Sequence, residues 1–257
     1  MKKEIERVVE WIRSFVKRAG AEGVVLGLSG GVDSAVVAAL AAKALGSRKV
    51  FCLGMPCDSD PSDLVDAKKV SKHLDVQFEV VDLNQLYTDF LKAREFSTDK
   101  DECSSLACAN LKARLRMATV YLEANDLNYL VIGTGNRSEL LCGYVTKFGD
   151  GACDFEPLGN FYKTEVVEMA RELGLPKKIC NRTPSPGLQA GVTDESELGM
   201  PYSKLDPILR FIMSGVRYGD LGDSIGFSKD DYKRVAKMVR DSSHKRRMPL
   251  SCPRGVG

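Results

Sequence analysis

The stretch Val24-Val25-Leu26-Gly27-Leu28-Ser29-Gly30-Gly31-Val32-Asp33-Ser34 decides the fold. Its first part, Val24 to Leu28, is a short apolar run, the pattern of a parallel strand buried on both faces. A turn of small residues follows. Then comes Ala35 to Leu45, rich in strong helix formers and stopped by Gly46. The two glycines let backbone N–H groups come close to an anion. Ser29 and Ser34 add hydroxyls, and the helix turns its positive end to the same place. A phosphate group is the natural occupant. The loop lacks the Gly-Lys-Ser/Thr ending of a Walker A loop, and it is not Gly-x-Gly-x-x-Gly. Asp33 would repel a polyphosphate unless it holds Mg²⁺ that bridges phosphate oxygens.

Working outward, Ile5 to Val16 carries apolar residues at helical spacing. Val50 to Met55, Val76 to Asp82 and Tyr129 to Gly133 read as further strands. Asp60-Pro61 opens a helix that runs to about Leu74, with Asp60 as N-cap and Pro61 at the first helical position. Leu106 to Asn125 and Tyr162 to Leu173 are helical, and Pro201 to Ser242 returns to helix before a basic tail, Ser243 to Gly257. Alternation of strand and helix predicts an α/β fold: a doubly wound, mostly parallel sheet of about five strands flanked by helices. A single domain, 1–257, with a helical C-terminal segment after about 200, is expected. Cys142 to Asn160 and Asn181 to Met200 show little regular pattern and read as functional loops or lids over the site.

The composition of the 257 residues, 44% hydrophobic and 28% charged, is that of a globular protein and excludes disordered or collagen-like classes. A net charge of +2 predicts no broad nucleic-acid-binding face. No apolar run is long enough to span a bilayer, and the N-terminus lacks a signal-peptide core. The expectation is a cytoplasmic protein with no membrane partner. Eight cysteines without a Cys-x-x-Cys pair read as reduced, mostly buried thiols.

Ser29-Gly30-Gly31-Val32-Asp33-Ser34 resembles the pyrophosphate loop of the ATP pyrophosphatases, which cleave ATP between the α and β phosphates and pass AMP to an acceptor. A second set of motifs narrows the choice. It comprises Val131-Ile132-Gly133-Thr134-Gly135-Asn136-Arg137-Ser138-Glu139, Thr146-Lys147-Phe148-Gly149-Asp150-Gly151 and Pro157 to Val166. Thr193 to Gly199 and His244-Lys245-Arg246-Arg247-Met248-Pro249 complete it. Together they resemble the NAD synthetase family from about Ile5 to Pro249. Pro184-Ser185-Pro186-Gly187-Leu188 departs from the usual Pro-Thr-Ala-Asp-Leu and is similar to archaeal members.

The resemblance implies ATP-dependent amidation of deamido-NAD with ammonia through an acyl adenylate, giving NAD, AMP and pyrophosphate. It implies that Gly27, Leu28, Ser29, Gly30, Gly31, Val32, Asp33 and Ser34, with Thr134, Lys163 and Ser185, hold ATP. Asp33 and Glu139 would hold Mg²⁺. Arg114, Lys147, Asp154, His244 and Lys245 would contact deamido-NAD, and Asp150 and Lys163 would be catalytic. These residue types suit the reaction. Mg²⁺ and Lys163 neutralise charge on the α-phosphate, and Asp150 can bind ammonium and take its proton. The loop that contains Cys103 and Cys108 maps onto nothing in the family.

Only 23 residues precede the first strand, too few for an amidase domain, so free ammonia is the expected nitrogen donor. The helix from Leu106 has apolar residues on two faces: Leu111, Leu115, Ala118 and Leu122, and Ala109, Ala113, Met117 and Tyr121. The resemblance favours a homodimer built on that helix. Two other readings stay open: another ATP pyrophosphatase such as a tRNA thiolation enzyme, and a non-catalytic adenine-nucleotide sensor.

Overall fold

The structure, a computed structural model, describes residues 1–95, 106–184, 193–216, 218, 226–249 and 251–252. Ser185, Cys103 and part of the Asn181 to Met200 stretch lie outside the described residues. The chain opens with α1 (Lys2–Ala19), β1 (Val24–Gly27), α2 (Val32–Leu45), β2 (Val50–Gly54), α3 (Pro61–Leu74), β3 (Gln77–Val80) and α4 (Asn84–Ala93). It continues with α5 (Leu106–Leu127), β4 (Leu130–Val131), α6 (Arg137–Cys142), α7 (Lys163–Glu172) and α8 (Lys177–Cys180). The C-terminal part holds α9 (Asp194–Leu198), α10 (Tyr202–Met213) and α11 (Lys229–Asp241).

The sheet is parallel throughout, in the order β3-β2-β1-β4. Among the described residues it has four strands rather than about five. Where a fifth strand would pair with β4, there is a single parallel bridge, Ile132 to Phe155. Val131 N–H donates to the Asp154 carboxylate at 2.7 Å, so a side chain takes a place that a ladder bond would hold. The chain runs outward from β1 to β3, then returns to the other side of β1. The order reverses between β1 and β4, and ligands in such sheets bind beyond the strand ends at that point.

Side-chain alternation along β1 divides the core. Val24 and Leu26 pack with α1, α2 and α7 on one face, while Val25 packs with Val120 and Ala124 of α5 on the other. α2 is apolar all round and buried from Val32 to Ala44, apart from Asp33, Ala42 and Lys43, which suits a helix enclosed by its neighbours. Asp60 caps α3 as expected, accepting from Ser62 N–H at 2.8 Å. α6, α10 and α11 form a separate apolar cluster around Leu205, Ile208 and Val235.

Two expectations are adjusted. The segment after Ser242 is not a free tail up to Arg246. It forms a short 3-10 turn, Ser243–Arg246, and Arg246 donates to the carbonyls of Leu140, Leu141 and Val239. On α5 one apolar face and the first half of the other are covered within the chain. Ala109, Ala113 and Met117 line the cleft described below, and Leu111 and Leu115 pack beside α4. Leu122 is 73% exposed and Leu106 76% exposed. No described helix is long and apolar enough to cross a membrane.

Candidate active site

A cleft of about 1000 Å³ opens at the reversal point. Gly27, Leu28, Ser29, Gly31, Val32, Asp33, Ser34, Thr134, Glu139, Asp150, Lys163 and Lys245 all line it. Gly30 is the one loop residue outside the lining, because its backbone lies against α3 instead. The loop braces itself. Gly31 N–H donates to Ser29 Oγ at 3.2 Å, Ser34 Oγ donates to the Gly31 carbonyl at 3.1 Å, and the two hydroxyls are 3.1 Å apart. The first N–H groups of α2 have no partner within the helix, and they stand at the cleft.

Lys163 is the centre of the charged part. It is the first residue of α7 and only 4% exposed. Its ammonium lies 2.5 Å from Asp33 Oδ2, 3.4 Å from Glu139 Oε1 and 3.9 Å from Asp194 Oδ2, and 5.3 Å from the Tyr202 ring centre. Burial opposes the charge, but the three carboxylates more than offset it and raise the lysine pKa, so it stays protonated. Burial and the nearby Asp33 push the Glu139 carboxyl up, against the pull of Lys163. Asp194 is raised by burial as well, with Lys163 opposing.

Two helix starts aim this centre. Asn136 caps α6 by accepting from Glu139 N–H at 3.0 Å, and Glu139 Oε2 accepts from Asn136 N–H at 3.2 Å. This is a capping box. Glu139 thus does cap a short helix while its other oxygen faces Lys163. The Asn136 amide donates to Asp33 Oδ1 at 2.9 Å. At α7, Lys163 N–H donates to Ser138 Oγ at 3.0 Å, and Ser138 donates to buried Asp206 at 2.6 Å. Asp206 also accepts from Thr164 N–H at 2.9 Å.

The residues expected to meet deamido-NAD are placed differently. Arg114, Lys147, Asp154 and His244 do not line the cleft. Arg114 donates to the Lys147 carbonyl at 3.3 Å, and Lys147 donates to the His244 carbonyl at 2.8 Å, so these three form one chain beside α5. Asp154 accepts from Val131 N–H and, at 3.4 Å, from Tyr121. Lys245 donates to the carbonyls of Gly143 and Val145 at 2.7 and 2.8 Å, which ties the 142–160 loop to the segment after α11. Asp150 accepts from Thr146 N–H at 2.8 Å and opens to solvent within the cleft.

Sequence reasoning left out Asp194, Tyr202, Asp206, Arg116 and Arg182. Asp206 had a signal, an acid on the apolar face of an amphipathic helix beside Leu205 and Leu209. Asp194 reads only as the start of a helix capped by Thr193, and nothing local shows that it meets Lys163.

A family profile for NAD synthase matches residues 4–249. The chain belongs to the NAD synthase family. It is 45% identical over 249 residues to an NH3-dependent NAD+ synthetase of Archaeoglobus fulgidus, covering 96% of this chain and 95% of that one. It is 45% identical over 244 residues to one of Carboxydothermus hydrogenoformans, covering 95% and 94%. Among solved structures, it is similar to an NMN synthetase of Francisella tularensis (TM-score 0.85, 34% identity, 98% of both chains). It is also similar to an NH3-dependent NAD synthetase of Campylobacter jejuni (TM-score 0.80, 30% identity, 98% of both chains).

Proposed function

We propose that the chain makes NAD by amidating deamido-NAD with ammonia, at the expense of ATP cleaved to AMP and pyrophosphate. The observation that carries this reading is the Lys163 ammonium, held among Asp33, Glu139 and Asp194 at the mouth of the phosphate loop. In the first step the substrate carboxylate attacks the α-phosphorus, and pyrophosphate leaves. In the second, ammonia attacks the acyl carbon, and AMP leaves. Lys163 supplies positive charge where the phosphates gather, at a nearly buried position. The loop N–H groups orient the phosphates. Asp150, open to the cleft, binds ammonium and accepts its proton.

Three carboxylates around one lysine leave an excess of negative charge, and one oxygen of Asp194 is buried without a partner. That donor set suits a hard cation. No group of three Asp, Glu, His or Cys residues forms a ready cage among the described residues. Asp33 and Glu139 would hold Mg²⁺, which when bound neutralises phosphate charge. The exposed stretch of α5 around Leu122, next to the Arg114 chain, supports a homodimer in which deamido-NAD lies near the interface.

The test incubates the purified chain with ATP, Mg²⁺, ammonium and deamido-NAD and follows NAD and AMP. AMP release that requires deamido-NAD is the expected result, with glutamine alone inactive. ATP binding without AMP release would favour a nucleotide sensor. Nicotinate mononucleotide in place of deamido-NAD is the competing substrate to include, given the similarity to an NMN synthetase.

A further inference from the structure

The phosphate loop is held from outside by an ionic cluster separate from Lys163 and its carboxylates. Arg182, just after α8, donates through Nη1 to the Gly30 carbonyl at 3.3 Å and to Asp66 Oδ2 at 3.3 Å. Its Nη2 pairs with Asp63. Asp66 is 2% exposed, and Lys178 donates to both its oxygens, at 2.6 and 2.8 Å. Burial favours the neutral acid, but Lys178, Arg182 and Lys69 outweigh it and hold the Asp66 carboxyl below its usual range.

Gly30 lies directly on α3. Its φ is +80°, and a Cβ there would stand 2.5 Å from the Asp63 carbonyl oxygen and 3.1 Å from Ala67 N. The loop therefore rests on the first turns of α3, with Arg182 clasping both. Arginine suits this because its planar fork reaches several acceptors in fixed directions, which a lysine cannot do.

We propose that Arg182 is a positioning residue for the phosphate loop: through Asp63 and Asp66 it fixes Gly30 on α3, and so sets where the loop N–H groups meet the nucleotide phosphates. This rests on the ATP-using function proposed above. A misplacement of about 1 Å in such a site can cost about 100-fold in rate. The rival arrangement is a direct one. Arg182 and Asp63 both line the cleft, and Arg182 could leave Asp63 to bind a phosphate itself.

The two differ in sign at Asp63. If Arg182 acts through the clasp, Asp63→Ala loosens the loop and weakens nucleotide binding, although it removes a negative charge from the cleft. If Arg182 binds phosphate directly, Asp63→Ala frees it and tightens binding. Calorimetric titration of the full chain with a non-hydrolysable ATP analogue and Mg²⁺ separates them. The expected result is at least a tenfold rise in Kd for Arg182→Gln, a smaller rise for Arg182→Lys, and about threefold or more for Asp63→Ala. The KM for deamido-NAD should stay within twofold throughout. Tighter binding by Asp63→Ala, unchanged Kd in Arg182→Gln, or an equal rise in both substrate constants overturns the assignment. If Arg182→Gln does not fold, Arg182→Lys and Asp63→Ala decide by the same criteria. A wild-type chain that does not bind the analogue overturns the ATP-using reading and this assignment with it. Wild-type binding with unaffected variants overturns the assignment alone.

Discussion

The two sides of the site are built on different terms. On the phosphate side, α2, α6 and α7 start at one place, and Asp33, Glu139 and Lys163 meet there with side chains only 15%, 15% and 5% exposed. Each has a partner that fixes it. On the α5 side, Arg114 is exposed, and Arg114, Lys147 and Lys245 spend hydrogen bonds on backbone carbonyls of neighbouring loops. The contrast teaches that Asp33, Glu139 and Lys163 are held by partners from this same chain. The surface expected to take the rest of the dinucleotide ends at an open helix face.

The largest expected effect lies on the closed side. Lys163→Met leaves three carboxylates without their cation and should lower turnover by about 1000-fold or more. Steady-state AMP release measures it. A loss below tenfold would show that the phosphate side does not depend on this charge. Asp33→Asn should abolish Mg²⁺-dependent adenylation with circular dichroism unchanged, and wild-type activity at low Mg²⁺ would break the ligand assignment.

The next effect probes the open side. Leu122→Glu puts a charge on the exposed face of α5 and should shift a dimer to monomer, seen by sedimentation, with most of the NAD formation lost. A fully active monomer would show that the α5 side needs no second copy. A smaller change sharpens the same point. Arg114→Ala should raise the KM for deamido-NAD about tenfold, the size of one hydrogen bond to a charged group, with KM for ATP unmoved.

The smallest effect concerns stability just after β4. Glu156 sits behind Gly133 and Gly135, with Oε1 buried and without a partner. Burial, with some help from Asp150, pushes its carboxyl from 4.5 up to about 7, against Cys153. Below its unfolded pKa both states carry the proton. Between the two values only the folded state keeps it, so stability falls as pH rises from about 4.5 to about 7 and levels off above that. Glu156→Gln should remove that loss, stabilising the protein by about 1–3 kcal/mol at pH 8 and little at pH 5. Equal melting shifts at both pH values would contradict it.

The phosphate side was legible in the sequence because its signals are local. Gly30 and Gly31, the apolar run before them and the alanine-rich helix after them fix strand, turn and helix by backbone sterics and burial. Asp33 follows from charge that has to be neutralised beside phosphates, whereas Glu139 was implied only by the family resemblance. Asp60-Pro61 is equally local, and the helix start it predicts matches the structure. Only the tertiary structure decided the rest. It placed Asp194 against Lys163, Asp206 under the start of α7, and Arg182 on the Gly30 carbonyl. The sequence separations there are 31, 42 and 152 residues. No local rule reaches so far, because such partners are chosen by which faces the sheet brings together. The same applies to the sheet edge, where Asp154 takes the Val131 N–H and the expected fifth strand shrinks to one bridge. Backbone preference sets each element, whereas burial of the apolar faces sets which charges must meet.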